Sequence, residues 1–255
     1  MKTGRDIAPI LISLEKAVAK LGPLPADASL RQRWQQRLAA GEPALDEADF
    51  PVAEAALLLV DVVSACEGKT LLLSTAEQLV AEYLSEQSAP GGLEGCGIEA
   101  ELGDVYIHLS CQTALARTGA AVAEAASVDG WNKRHCPVCG ADPAFSCFDK
   151  EGGRRMLICG ACLTSWRYKR LGCTCCGEEQ PDRLKVLTAD EFPGWSVGIC
   201  LTCHGYIKTA DLRQLAAVPR WQKAALDTLP LDYAATKWLA GETPGTISSP
   251  KEGMS

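Results

Sequence analysis

The chain has 255 residues, 47% hydrophobic and 22% charged, with 25 basic against 32 acidic side chains and a net charge of −7. This is ordinary globular composition with enough apolar material for a core, which excludes extensive disorder and points to one or two domains. No run approaches the roughly 18 apolar residues that a membrane helix requires, since the longest, residues 53–65, is broken by Glu54 and Asp61. The stretch Ile7 to Leu14 is short and runs into Glu15, Lys16 and Lys20 without a small-residue cleavage site. It does not read as a secretory signal, so a cytoplasmic protein with reduced thiols is expected.

Residues 1–130 are expected to form an all-α domain. Ile7, Ile10, Leu11, Leu14, Val18 and Leu21 recur at three- and four-residue steps, marking one face of a first helix that Gly22-Pro23 stops, with Pro25 beyond. Asp27 suits the cap of a second helix carrying Leu30, Trp34 and Leu38 and ending near Gly41. Pro51 opens a third, strongly apolar helix reaching about Cys66, with Gly68 just past its end. Ser74 and Glu77 form a capping-box pattern before Leu79, Val80 and Leu84, and a Pro-Gly-Gly turn at 90–92 interrupts the helices. A further helix is expected from about Glu99 to Ser127. Its apolar positions, like the stripes before it, read as core packing.

Residues 131–210 change character. Glycines, aromatics and short β-prone runs such as Met156-Leu157-Ile158 surround a cluster of cysteines, and the charge turns from −10 over residues 1–130 to +3. After Thr209 the apolar spacing of Leu212, Leu215 and Ala216 suggests helix again. Pro219 breaks it, Trp221, Ala225 and Leu229 continue it, and Pro230 ends the segment before Tyr233, Trp238 and Leu239. The tail from Thr243 to Ser255 is rich in Gly, Ser and Pro and is expected to fray.

The 13 cysteines are the most informative feature. Eight form the pairs Cys136/Cys139, Cys159/Cys162, Cys173/Cys176 and Cys200/Cys203, all within residues 136–203. Each pair sets two thiolates on one side of a tight turn, and two such knuckles close a tetrahedral S4 site. The first two pairs have zinc-ribbon spacing; the second two overshoot it, as an insertion in the hairpin would. Gly140 and Gly177 follow two of the knuckles, where the backbone must turn towards sulfur.

Zinc and iron both accept four thiolates, so two metal ions, Fe or Zn, are expected. Spacing favours Cys173 and Cys176 over Cys175 as ligands, and makes Cys175 a spare thiol. His135 and His204 flank knuckles as surface residues, although either could replace a thiolate. His108 reads as a satisfied residue on a helix, and Cys66, Cys96 and Cys111 as small core hydrophobes. Cys200-x-x-Cys203-His204 also spells a haem-attachment motif, but that reading would orphan the third pair. No phosphate loop, dinucleotide fingerprint or nucleophile elbow is present, three histidines leave little for acid–base chemistry, and a closed S4 site offers no open position, so an enzyme is disfavoured.

The run Cys136-Pro137-Val138-Cys139-Gly140, then Arg155-x-Leu157-x-Cys159-x2-Cys162-x-Thr164-x-Trp166-x3-Arg170-x2-Cys173-x2-Cys176, then Cys200-x2-Cys203-x2-Tyr206-x-Lys208, resembles the formate dehydrogenase accessory protein family of the FdhE type, over roughly residues 134–210. The resemblance implies a multidomain α+β architecture: an all-α N-terminal domain, two tandem rubredoxin-like or zinc-ribbon modules and a C-terminal helix. The corresponding boundaries are 1–130, 131–170, 171–210 and 211–255. It also implies iron as the metal, and a cytoplasmic role in maturing formate dehydrogenase by binding its catalytic subunit. Trp166, Arg167, Arg170, Tyr206 and Lys208 are the residues expected to present the docking surface. Two rivals remain open. One is a nucleic-acid-binding zinc ribbon using Lys133, Arg134, Arg154, Arg155, Arg167, Lys169 and Arg170 with Trp166 and Tyr168, which the net charge disfavours. The other is a rubredoxin-like electron carrier.

Overall fold

The computed structural model describes residues 6–24, 27–86, 91–242 and 247–248. The chain divides into two compact units, Met1–Ala126 and Ser127–Ser255.

The first unit is helical: α1 (Ala8–Leu21), α2 (Ala28–Ala39), α3 (Val52–Glu67), α4 (Leu73–Glu86) and α5 (Ala100–Ala125). The Asp27 carboxylate accepts the Leu30 N–H at 2.8 Å and caps α2. Gly68, at φ +64°, closes α3 in the left-handed conformation. Leu58, Leu59, Val62 and Val63 of α3 are fully buried in one core with Ile10, Leu14, Val80 and Ile107. Burial of this apolar set supplies the main driving force for the unit. Across the 26-residue α5, small residues let neighbours approach closely: a Cβ on Gly103 would stand 3.2 Å from the Leu93 side chain. Cys111 is buried in this core, while Cys66 and Cys96 pack half-buried against it.

One expectation for this unit is corrected. Helix α4 has already begun at Leu73, so Ser74 sits inside its first turn and cannot cap it. Burial of Leu71 in the core anchors the approach and sets the start. Pro25 and Pro90 lie outside the described residues, and Gly91 opens a turn at φ +76°.

The second unit is a mainly antiparallel sheet built from two like halves. Strands β1 (Pro143–Phe148), β2 (Arg155–Cys159) and β3 (Ser165–Arg167) form one antiparallel half. Strands β4 (Leu184–Ala189), β5 (Trp195–Cys200) and β6 (Tyr206–Asp211) form the other. Parallel pairing of β1 with β6 joins them, and β7 (Ile247–Ser248) pairs with β4, giving the order β3-β2-β1-β6-β5-β4-β7. Alternate residues face two helices on the sheet. Phe145 and Cys147 meet Ala224 of α6 (Trp221–Asp227), while Val197 and Ile199 meet Leu231 and Ala235 of α7 (Leu229–Leu239).

Three expectations on this unit change. The extra length of the second cysteine unit lies ahead of the hairpin: residues 177–183, with a 3-10 turn at Pro181–Arg183, precede β4, against residues 140–142 before β1. Residues 206–211 are strand, and no helix begins until Trp221. The Asp211 carboxylate accepts the Arg213 N–H at 3.1 Å and clasps its guanidinium, turning the chain and sending Leu212 and Leu215 into the sheet core. Pro230 lies in the first turn of α7, where its missing N–H costs nothing, so it opens that helix instead of ending the one before. Of the tail beyond Thr243, only Ile247 and Ser248 are among the described residues, and they are strand.

Candidate metal centres

Four knuckles repeat one backbone device. The N–H of the first cysteine donates to the carbonyl five residues on: Cys136 to Ala141, Cys159 to Thr164, Cys173 to Glu178 and Cys200 to Gly205, at 2.8–2.9 Å. Four residues on, the chain enters positive φ: Gly140 at 76°, Leu163 at 57°, Gly177 at 86° and His204 at 59°. Only two of these positions are glycine. Leu163 and His204 take the left-handed conformation at a cost of roughly 1–2 kcal/mol each, and their side chains gave no hint of it in the sequence. Cys159 and Cys200 end β2 and β5, so each hairpin delivers its second knuckle against the first.

The sulfurs converge as two groups, Cys136/Cys139/Cys159/Cys162 and Cys173/Cys176/Cys200/Cys203, with all ligand atoms of a group within 4.8 Å of one another. Cys136 Sγ lies 3.5 Å from Cys162 Sγ, and Cys139 Sγ 3.4 Å from Cys159 Sγ. In the second group Cys173–Cys203 is 3.6 Å and Cys176–Cys200 is 3.7 Å. Four sulfurs about 2.3 Å from a common ion stand about 3.8 Å apart. The donor set therefore fits a tetrahedral thiolate-bound metal, and two ions could be held.

Backbone amides aim at these sulfurs. Val138 N–H donates to Cys136 Sγ at 3.3 Å, while Ala161 and Cys162 donate to Cys159 Sγ at 3.3 and 3.4 Å. In the second group Cys175 and Cys176 donate to Cys173 Sγ, and Gly205 to Cys203 Sγ, at 3.3–3.4 Å. Such donors stabilise the thiolate form that a metal requires. Burial opposes ionisation of Cys173, but the Cys176 and Cys175 N–H groups and the neighbouring Cys203 and Cys176 thiols hold it at about 7. In the first group hydrogen bonds with Cys136, Cys139 and Cys159 push Cys162 down, while Cys139, Cys159 and Cys162 push Cys136 up. A cation entering there must displace protons.

The two groups differ in cover. Cys136, Cys159 and Cys162 are buried and Cys139 half-buried, whereas Cys176 and Cys203 of the second group are exposed. Cys175 is exposed and stands outside the four-sulfur group, yet its Sγ would lie 2.6 Å from a Cβ added to Gly205, a position that only glycine fills without displacement. Neither histidine joins a group: His204 is exposed, and His135 sits half-buried, edge-on to Trp131 at 5.3 Å. His108 Nδ1 meets the Tyr83 hydroxyl at 2.7 Å.

The residues expected at a docking surface fall into two sets. Arg167 and Arg170 are exposed. Trp166 is 1% exposed and donates its indole N–H to the Lys133 carbonyl at 3.0 Å. Lys208 is 6% exposed and pairs with Asp232 at 2.6 Å, and half-buried Tyr206 donates to the same carboxylate at 3.1 Å. β6 is an interior strand beneath α7, so Tyr206 and Lys208 fasten that helix, and Trp166 packs inward from β3; these three are withdrawn from the expected surface.

A helical unit followed by two tandem four-cysteine ribbons that share one sheet defines the class of this protein. Residues 135–170 match the family model "FdhE, central domain". The chain is 39% identical over 105 residues to a protein FdhE homolog of Aquifex aeolicus, covering 40% of this chain and 37% of that protein. It is 36% identical over 101 residues to one of Stutzerimonas stutzeri, covering 38% and 32%. The matched stretches thus span about a third of these relatives' own lengths. The crystal structure of the FdhE protein from Pseudomonas aeruginosa superposes with a TM-score of 0.65 at 20% identity, over 94% of this chain and 85% of that one, and shares the fold. The chain is thus similar in sequence to FdhE-type proteins over part of its length, and it shares the fold of one of them. No helix among the described residues is long and apolar enough to cross a membrane.

Proposed function

We propose that this chain is a cytoplasmic, non-catalytic accessory protein that matures formate dehydrogenase by binding its catalytic subunit, with the eight paired cysteines ligating two metal ions. The observation that carries the reading is the coincidence of the FdhE central-domain match at 135–170 with a complete four-sulfur group inside it. Residues 131–170 and 171–210 act as the two metal modules, 1–130 as the helical body and 211–255 as the helical brace on the sheet. A bound iron would supply a one-electron couple and a bound zinc a redox-inert staple; iron is favoured by the family resemblance. In either case the chain's own contribution is the same: amides and hairpins hold four thiolates in place, and the ribbons hold their outward side chains rigid. Four thiolates close the coordination sphere and leave no position for a substrate, which supports a role in binding over catalysis. Burial of Trp166 and Tyr168 removes the aromatic platform that a nucleic-acid reader would need for stacking.

The test is complementation and capture in a formate-respiring host lacking its FdhE-type protein. Full-length chain should restore formate dehydrogenase activity and co-purify with the catalytic subunit, and the variant Cys136→Ser/Cys159→Ser should do neither. Full restoration by a folded variant that holds no metal, or capture of other proteins without the catalytic subunit, would overturn the reading.

A further inference from the structure

A cleft of about 500 Å³ opens in the second unit beside the first ribbon. Five cations line it: Arg154, Arg155, Arg167, Lys169 and Arg170, with Asp129 the one carboxylate among its walls. Two of the cations are neutralised within the fold, Arg154 by Asp149 and Glu151 and Lys169 by Glu179. The other three have no carboxylate within ion-pair distance among the described residues. Arg155 is 92% buried by the complement of its 8% exposure, and its guanidinium donates to neutral groups, the Gly172 carbonyl at 2.8 Å and the Ser146 hydroxyl at 3.4 Å. Arg170 donates to the Gly153 carbonyl at 3.2 Å and lies over the Phe148 ring at 5.4 Å. Arg167 projects from β3, the edge strand of the sheet, and is exposed.

Arg155 has the Cys173 sulfur and the Tyr168 ring, 5.9 Å away, to offset part of its charge. Arg167 and Arg170 beside it have no carboxylate among the described residues, and three guanidiniums on one cleft favour an anion that completes the group. Planar guanidinium forks bind carboxylates and phosphates in bidentate fashion, so the missing partner carries oxyanions. The cleft walls decide between kinds of oxyanion. Its aromatic residues, Trp131 at 7% and Tyr168 at 5% exposure, present no ring for a base to stack on. The volume suits a few residues of an extended segment, and a net charge of −7 repels a long polyanion while leaving a short local contact possible.

We propose that this cleft is the docking site for a short acidic peptide segment, whose carboxylates are received by Arg155, Arg167 and Arg170. The inference deepens the accessory-protein reading by naming the chemistry of the partner's contact, and it rests on that reading only for where such a segment comes from. The test uses the metal-loaded full chain and a fluorescent ten-residue peptide of alternating glutamate and glycine, with a glutamine analogue and a single-stranded ten-nucleotide DNA as competitors. Expected are saturable binding of the glutamate peptide that weakens as salt rises, no binding of the glutamine analogue, and a loss of about tenfold or more in Arg167→Glu/Arg170→Glu. Lys16→Glu, the same kind of charge reversal on an exposed residue of the helical unit, should leave binding unchanged. Equal binding by the glutamine analogue, an unchanged affinity in the double variant, or tighter binding of the DNA would each overturn the proposal. Peptide binding involves no formate dehydrogenase, so its failure is distinct from a failure of complementation.

Discussion

The two four-cysteine groups share a backbone device and differ in what covers it. In the first knuckle Cys136-Pro137-Val138-Cys139, both intervening residues are buried. In its counterpart Cys173-Thr174-Cys175-Cys176, Thr174 is buried but Cys175, in the place of Val138, is exposed. The second knuckles repeat the contrast: Gly160 and Ala161 are half-buried, whereas Thr202 faces solvent. Among the described residues only the first group has a hydroxyl against its sulfurs, with Cys162 Sγ 3.1 Å from Thr164 Oγ1. Identical ligand chemistry is thus placed once in a protein interior and once at a surface. Metal affinity and exchange depend on this surrounding shell as well as on the four donors. An ion held by the first group would be shielded from solvent, and one held by the second would lie open to it.

The largest effect that would sharpen this contrast comes from removing one ligand at each site. Cys159→Ser places a poorer donor in the buried group. With structural tetrathiolate sites worth on the order of 10 kcal/mol to folding, it should cost one metal equivalent and the cooperative unfolding of the sheet unit in calorimetry. Cys203→Ser should cost metal at the second site while the sheet unit still unfolds cooperatively. Equal damage from both would break the comparison.

A smaller, kinetic effect follows from exposure. A chelator added to protein holding two metals should remove one equivalent at least about tenfold faster than the other, with the slow equivalent assigned to residues 136–162 by using Cys203→Ser protein. In the same preparation iodoacetamide should label Cys175 first. Cys111 and Cys147, which burial pushes up to about 12 and about 11, should react only on unfolding. Peptide mass mapping reads both, and early labelling of Cys111 or Cys147 would contradict the buried placement.

The smallest effect concerns the strained turns. His204→Gly, on an exposed knuckle, should raise stability by about 0.5–1 kcal/mol as the left-handed backbone is relieved. At half-buried Leu163 the same change should gain less, because the leucine's packing is lost with its strain. Denaturant melts of the metal-loaded proteins compare the two, and a larger gain at Leu163 would reverse the expected order.

The sequence by itself determined what is local. A Cys-x-x-Cys pair needs only its own turn to present two sulfurs, so the eight candidate ligands and their tandem grouping were readable from spacing. The helices of the first unit were readable from apolar periodicity and from Asp27 and Gly68 at their ends. Tertiary structure decided what depends on distant partners. The parallel pairing of β1 with β6, which merges two ribbons into one sheet, joins residues such as Cys147 and Ala210 that no local pattern links. That pairing makes β6 an interior strand, turns Lys208 and Tyr206 towards Asp232, and prevents the helix that the apolar spacing after Thr209 suggested. Positive φ at Leu163 and His204 follows from closing each knuckle onto its hairpin, not from residue preference. The difference in cover between the two metal groups arises in the same way, because burial belongs to the assembled fold while ligand spacing belongs to the chain.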